Sequence, residues 1–176
     1  LSASGKLSSK MFGPGVYPPQ PLSVLAHAFG NKGWKASQGE DRYRRSIYTF
    51  VKRTAPFAGH MTFDGTSGEN CLARRDRSNT PLQALTLLND EMFLELARAA
   101  GTEVHLQKKD PVPALFRHFL TRPPNPEEAK ALQAYLDQQI ERLAKGELKP
   151  GDIAADKKAT PELAGKVLLA RAIMNL

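Results

Sequence analysis

The sequence predicts a mainly α-helical protein, in which an irregular segment rich in Pro and Gly wraps on a bundle of about five helices. Helix-start patterns recur in the second half of the chain, and apolar residues follow them at helical spacing. No strong run of strands is present. The 176 residues suffice for one domain with a buried core. We therefore expect a single helical domain over residues 1–176, as the C-terminal fragment of a longer domain.

Residues 1–40 are predicted to form the irregular wrap. The stretch from Gly13 to Pro21 is crowded with prolines, which disfavour helix at and before their own positions. Tyr17 and Trp34 are expected to anchor this segment by burying aromatic area. A polyproline ligand for a partner is the alternative interpretation.

Residues 41–101 are predicted to form a basic helix, a long loop and a central helix. Ile47, Phe50 and Val51 lie at i, i+3 and i+4, which favours an amphipathic helix over residues 40–53. Their β-branched and aromatic character leaves a strand open as the alternative. Residues 54–70 contain several Gly and Pro residues and are expected to form an ordered loop.

The central helix is predicted to begin at Pro81, with Thr80 as its cap and Gln83 reaching back to the cap. It runs toward residue 100, with a break near residues 89–90, and ends at Gly101. Its start is apolar nearly all round, so we expect it to be buried, with Asn89 on the buried stripe tying down a neighbouring loop.

The C-terminal helices are predicted over residues 111–176. One short helix spans residues 113–120. The pattern from Asn125 to Glu128 is a capping box that opens a helix running to Lys145, with Gly146 as its stop. A polar linker over residues 146–159 leads to a last helix that begins after Thr160.

The basic charge is concentrated in the first half of the chain. The net charge is +7, and residues 1–80 hold 12 Lys and Arg against 5 Asp and Glu, whereas residues 81–176 hold 13 of each. Such an imbalance of charge favours binding of an anionic partner. The partner would be an acidic protein surface, an anionic polysaccharide or nucleic acid. A solvated face that contacts acidic parts of the parent chain is the plainer alternative. No nucleic-acid-binding module is spelled out, which disfavours nucleic acid.

The densest candidate site precedes the central helix. Arg74, Arg75 and Arg77 could bind a carboxylate, sulfate or phosphate. They could instead form ion pairs with the nearby acids Asp64, Glu69 and Asp76, which would hold the loop shut. Structural pairing is slightly favoured because the acids lie in the same segment. Arg44 and Arg45 are expected on the same basic face, where they too would either bind an anion or form structural ion pairs.

Weaker candidates for catalysis are His60, Asp64 and Cys71. His60 with Asp64 would be a base and its orienter, and Cys71 near the arginines would be a nucleophile of lowered pKa. A lone cysteine is more often a small buried apolar residue. The spacing of His and Cys shows no metal-binding motif and no CxxCH haem attachment, so neither a metal nor a cofactor is assigned to this chain. No apolar run is long enough to span a bilayer.

Several blocks resemble one family closely. They are Ser2-Ala3-Ser4-Gly5, the run from Gly13 to Pro21, the run from Gly39 to Phe50, and above all Cys71 through Asp90. They are similar to the C-terminal part of the planctomycete-specific domain of unknown function found in planctomycete cytochrome C domain-containing proteins. The resemblance implies an exported, extracytoplasmic parent protein whose haem c lies in another module.

The resulting functional hypothesis is a packing and interaction module with a basic face, in contact with the rest of its parent chain. The alternative is part of an extracellular enzyme that acts with the cytochrome on polysaccharide or another organic substrate. A second alternative is binding of a polyanion or nucleic acid.

Overall fold

The structure is a computed structural model that describes residues 1–21, 34–52, 56–66, 73–74 and 77–176. Its α-helices within these ranges are α1 (Ala58–Thr62), α2 (Pro81–Asn89), α3 (Glu91–Leu106), α4 (Pro111–Leu120), α5 (Pro126–Ala144), α6 (Pro150–Ala154) and α7 (Pro161–Ile173). In the same ranges the only β-type pairing is one parallel bridge between Val16 and Thr49. The predicted mainly α fold with an irregular N-terminal part is confirmed. None of the described helices is long and apolar enough to cross a membrane.

The chain divides into two compact units. The helical unit comprises Leu1–Lys6 and Leu87–Leu176, and the basic unit comprises Leu7–Thr86. The sequence of the basic unit holds 11 Lys and Arg against 5 Asp and Glu, so it carries a net charge of +6 out of the +7 of the chain. The prediction of one domain over the whole chain stays a prediction.

The core of the helical unit lies where α3, α4, α5 and α7 meet. Its most deeply buried large side chains are Phe116, Leu115, Leu169 and Ile173. The predicted helix end at Gly101 is wrong, because α3 continues to Leu106. Gly101 is instead a point of close approach, where a Cβ atom would lie 2.8 Å from the Cα atom of Val167 in α7.

The predicted helix ends are confirmed where residues next to the helix end determine it. The Asn125 side chain accepts from the Glu128 N–H, and the Glu128 carboxylate accepts from the Asn125 N–H. Thr160 accepts from the Leu163 N–H at the start of α7, and Gly146 follows α5 with φ +78°. The predicted linker after α5 is not wholly irregular, because it contains the short helix α6.

Aromatic side chains gather in the basic unit, and the two predicted anchors are among them. The Tyr17 ring lies 5.3 Å from the Trp34 ring, edge to face, and 5.0 Å from the Phe50 ring. The Trp34 Nε1–H donates to the Pro18 carbonyl at 2.9 Å, which satisfies its polar group. Phe57 stacks on Trp34 with an interplanar angle of 6°. This cluster fixes the Pro-rich segment.

The predicted amphipathic helix over residues 40–53 is wrong. The segment forms two short 3₁₀ helices, Gly39–Tyr43 and Ser46–Tyr48, and then becomes extended. The Val16 N–H donates to the Tyr48 carbonyl, and the Phe50 N–H donates to the Val16 carbonyl, both at 2.8 Å. Because these backbone groups pair with a distant segment, the helical stripe does not form, and Ile47 and Val51 are 84% and 65% exposed.

The buried stripe predicted for the central helix is wrong at its start. The helix breaks at Asp90 as expected, but Leu82 and Leu85 in α2 are 61% and 56% exposed. Asn89 is also exposed. The buried residue of α2 is polar, namely Gln83, and the central buried helix is α3.

Candidate functional site

Asp64 occupies a left-handed backbone position two residues after the end of α1. Its φ is +56°, and the next residue, Gly65, donates its N–H to the His60 carbonyl at 2.6 Å. This is the closing hydrogen bond of a Schellman turn, in which the residue after the helix adopts the left-handed conformation. Asp is one of the few residues that tolerate it, because its short side chain bonds locally. The position of Asp64 therefore follows from turn geometry.

The Asp64 carboxylate binds Ser78, in the segment that leads to α2. It accepts from the Ser78 N–H at 2.9 Å and from the Ser78 Oγ–H at 2.7 Å. Both hydrogen bonds favour the ionised carboxylate and so lower the pKa of Asp64, and the bond from the Ser78 side chain has the larger effect. The Gln83 side chain makes a smaller contribution in the same direction. The carboxylate thus connects the end of α1 to the start of α2.

Gln83 completes this network from a buried position. Its Nε2 group donates to the Thr62 carbonyl at 3.0 Å and to Ser78 Oγ at 2.8 Å. Its Oε1 atom accepts from the Thr80 N–H, and its own N–H donates to Thr80 Oγ1. The predicted capping pair of Thr80 and Gln83 is confirmed. The second role of Gln83, which holds the turn after α1, was missed because nothing local in the sequence indicates it.

The other catalytic candidates are placed only in part. His60 lies in α1, and its ring meets the Phe57 ring edge to face at 5.1 Å. The Asp64 carboxylate accepts hydrogen bonds from Ser78. The pairing of His60 with Asp64 as a base and its orienter stays a prediction. Cys71 lies outside the described residues. No three His, Cys, Asp or Glu residues within the described ranges are grouped so as to hold a metal ion.

The arginine cluster is likewise placed in part. Arg74 and Arg77 are described and exposed, whereas Arg75 lies outside the described residues together with two of the acids predicted to pair with the cluster, Glu69 and Asp76. Whether the cluster binds a ligand or pairs with these acids stays a prediction. Arg74 and Arg77 are exposed at the surface of the basic unit.

Arg44 has a role that the sequence did not indicate. Its side chain is buried, with 4% relative exposure, and its guanidinium donates to the carbonyls of Lys10, Phe12 and Pro14. The guanidinium carbon also lies 3.7 Å from the centroid of the Tyr48 ring. Since carbonyl oxygens are its acceptors, Arg44 holds the loop over residues 10–14 in place and does not face an external anion.

Arg45, the next residue, points to the surface. It is exposed, and its Nη1 group lies 3.9 Å from the Met11 sulfur. Met11 and Phe12 are 53% and 78% exposed, and Ile47 is exposed in the 3₁₀ turn that also carries Tyr48, whose hydroxyl accepts from the Phe12 N–H. We name this set, Met11, Phe12, Arg45 and Ile47, the Phe12 surface. It combines one cation with three large apolar side chains.

The helical unit contains a separate pocket of about 170 Å³. It is lined by Leu1, Ala3, Ser4, Phe93, Leu96, Phe119, Leu120, Ile173 and Met174. The lining is apolar apart from Ser4, whose hydroxyl donates to the Leu1 carbonyl. No lining side chain carries a formal charge.

Comparison with known proteins identifies the family of the chain, and the function of that family is unknown. No curated protein and no solved structure matches it. Residues 1–136 match the family described as PSD1, protein of unknown function (DUF1553). This match covers most of the 176 residues and includes both the Asp64 network and the Phe12 surface. The chain therefore belongs to this PSD1 family of unknown function.

Proposed function

We propose that the chain is an interaction module whose basic unit binds an acidic protein surface. The observation that carries this proposal is the charge imbalance between the two units: the helical unit has 14 Lys and Arg against 13 Asp and Glu, and the basic unit has 11 against 5. Arg45, Arg74 and Arg77 are exposed there. Concentrated positive charge steers an acidic partner and fixes its orientation.

The hydrogen bonds of Asp64 count against its candidate role as a general base. A general base works best when its pKa lies near the operating pH, and the hydrogen bonds from Ser78 move the pKa of Asp64 in the opposite direction. The carboxylate is also engaged in joining two helices. Asp64 is thus better suited to holding the turn than to accepting a proton.

The proposal extends to the parent protein on the strength of the sequence resemblance. We place the chain in an exported planctomycete protein with a c-type cytochrome module elsewhere. This chain has one cysteine, so a CxxCH attachment site lies outside it. The parent protein should show a c-type haem spectrum and fractionate outside the cytoplasm. A haem-free parent protein in the cytoplasm contradicts this extension alone.

The test of the interaction function is a matched comparison of charge-removing variants. Arg45, Arg74 and Arg77 are changed to Gln in one variant, and the exposed Lys109, Lys157 and Lys158 of the helical unit are changed to Gln in its control. Binding to polyglutamate is measured at about 0.02 M and about 0.15 M salt, because added salt screens exposed charges. Circular dichroism checks that both variants are folded.

We expect the first variant to lose about tenfold in affinity at low salt and the control less than about twofold. Equal losses in the two variants would show that only net charge matters and would contradict a specific basic surface. Tighter binding to heparin than to polyglutamate, lost in the first variant, would favour an anionic polysaccharide in place of a protein partner.

A further inference from the structure

We propose that the Phe12 surface is the docking point for an acidic partner segment that also carries apolar side chains. This inference rests on the proposed function and adds where the partner binds and what chemistry it offers. The segment would place a carboxylate on Arg45 and apolar side chains on Phe12, Met11 and Ile47.

The conformation of Phe12 is the first observation. Its φ is +61°, and Gly13 follows with φ +92°. A bulky L-residue rarely adopts positive φ, because its Cβ crowds the following carbonyl. Such conformations persist only where the surroundings impose them, and they concentrate at binding and functional sites. At Phe12 the strained backbone holds an aromatic side chain that is 78% exposed.

The surroundings that impose this conformation are visible on both sides of the residue. The Phe12 N–H donates to the Tyr48 hydroxyl at 2.9 Å. The Phe12 carbonyl accepts from the buried Arg44 guanidinium, which also binds the carbonyls of Lys10 and Pro14. Because the backbone is held from within the unit, Phe12 is presented to solvent from a fixed position. A fixed anchor loses little conformational entropy on binding.

The composition of the surface is the second observation. Aromatic residues, Met and Arg are the types enriched at protein interfaces, and Arg and aromatic residues dominate their binding energy. Here Arg45 lies against Met11, with 3.9 Å between Nη1 and sulfur. The three apolar side chains are exposed to between 53% and 84%. A partner that covered them would gain from burying apolar area as well as from charge.

The chemistry favours a protein segment over the other anionic partners. A sulfated polysaccharide offers charge but little apolar surface for Phe12 and Ile47. The net positive charge of the basic unit complements an acidic segment.

The test uses the whole chain with Phe12→Asn and Arg45→Gln. Asn tolerates positive φ, so the first change removes the anchor without adding strain. Leu106→Asn and Lys109→Gln are the controls, because Leu106 is 74% exposed and Lys109 is also exposed, both in the helical unit. The probes are a peptide of Asp and Glu with one Phe and one Leu, the same peptide with Ser at these two positions, and vesicles of phosphatidylcholine and phosphatidylserine.

We expect the peptide with Phe and Leu to bind more tightly than its Ser counterpart. Phe12→Asn and Arg45→Gln should each weaken this binding about tenfold, and the controls less than about twofold. The urea midpoint of Phe12→Asn should not fall. Equal peptide affinities for the original chain and both variants would overturn the docking point, while polyglutamate binding would still test the proposed function separately.

Other outcomes also decide against the proposal. Equal binding of the two peptides would show that charge alone is recognised. Vesicle binding that Phe12→Asn abolishes, without peptide binding, would assign the surface to lipid. Absence of peptide binding together with retained polyglutamate binding would overturn the apolar anchor and leave the basic interaction function standing.

Discussion

Arg44 and Arg45 are adjacent in the sequence and have opposite environments. Arg44 is 4% exposed and serves three carbonyl oxygens, whereas Arg45 is exposed beside Met11. The difference follows from the extended backbone of both residues, with ψ 161° at Arg44 and 145° at Arg45, because successive side chains of an extended segment point to opposite sides. Charge in this segment therefore has two separable roles, one in stability and one at the surface.

Arg44→Met should lower the free energy of unfolding by about 2–4 kcal/mol, because it removes the charged hydrogen bonds by which a buried guanidinium holds the loop over residues 10–14. Urea unfolding measures this loss. Arg45→Met is the matched control and should change stability by no more than about 0.5 kcal/mol. Similar small effects at both positions would contradict the assignment of Arg44 as the group that holds the loop.

The start of α5 contains the clearest pH-dependent interaction in the described structure, which is formed by the Glu128 carboxylate. Glu128 accepts from the Arg122 guanidinium at 2.7 and 2.9 Å and from the Asn125 N–H at 2.8 Å. The bonds from Arg122, and then that from Asn125, lower the pKa of Glu128 from 4.5 to about 2. A carboxylate with a lowered pKa stabilises the fold at higher pH, and protonation removes that contribution.

Glu128→Gln should therefore destabilise the protein near neutral pH, and the difference from the original chain should shrink as pH falls from about 4.5 toward about 2. Urea unfolding at a series of pH values measures it. Glu127→Gln, one residue earlier in the first turn of α5, is the control. A difference that stayed constant over this range would mean that the charge of Glu128 is not what stabilises the helix start.

Two glycines determine how closely α7 approaches its neighbours. A Cβ atom on Gly101 would meet backbone atoms of Val167 at 2.8 Å, whereas a Cβ atom on Gly165 would meet the Ile140 Cγ1 atom at 2.6 Å. Backbone cannot move aside as a side chain can. The two positions should therefore differ in whether a second change relieves the crowding.

Gly101→Ala should cost about 1–3 kcal/mol of stability from overpacking, partly offset by the better helix propensity of Ala. In double-mutant cycles measured by urea unfolding, Ile140→Ala should recover part of the loss caused by Gly165→Ala. Val167→Ala should recover little of the loss at Gly101. The reverse pattern of recovery would show that the crowding at Gly101 comes from the Val167 side chain.

At the scale of the whole molecule, the two units differ in how their backbones are stabilised. The amides of α3 and α7 lie in regular helices around residues such as Ala97, Ala100 and Leu169, which are at most 2% exposed. In the described part of the basic unit, distant backbone segments are joined by isolated hydrogen bonds, such as those of Val16 with Tyr48 and Phe50.

Native-state hydrogen exchange should therefore be slowest in α3 and α7, with the amides of Val16 and Phe50 exchanging at least about tenfold faster. Isolated pairings open locally more easily than helices in a packed core. Amide-resolved exchange measured by NMR tests this. Equal protection at these positions would show that both units open together in one cooperative step.

The sequence by itself determined the features whose causes lie within a few residues. The caps at Thr80, Asn125 and Thr160 were predictable because each side chain bonds to a backbone group three residues away. The break near Asp90 and the stop at Gly146 are local in the same sense. The mainly α fold follows from these signals, since they bound most of the helices.

Tertiary structure decided whatever depends on contacts between distant residues. Residues 40–52 became 3₁₀ and extended, and the backbone groups of Tyr48 and Phe50 in this segment pair with Val16. Gly101 lies within α3, where the backbone of Val167 approaches it closely. The positive φ of Phe12 depends on Arg44 and Tyr48, which lie more than thirty residues later. Periodicity and spacing describe one segment at a time, so they identify helix ends, whereas burial and strain follow from which segments meet.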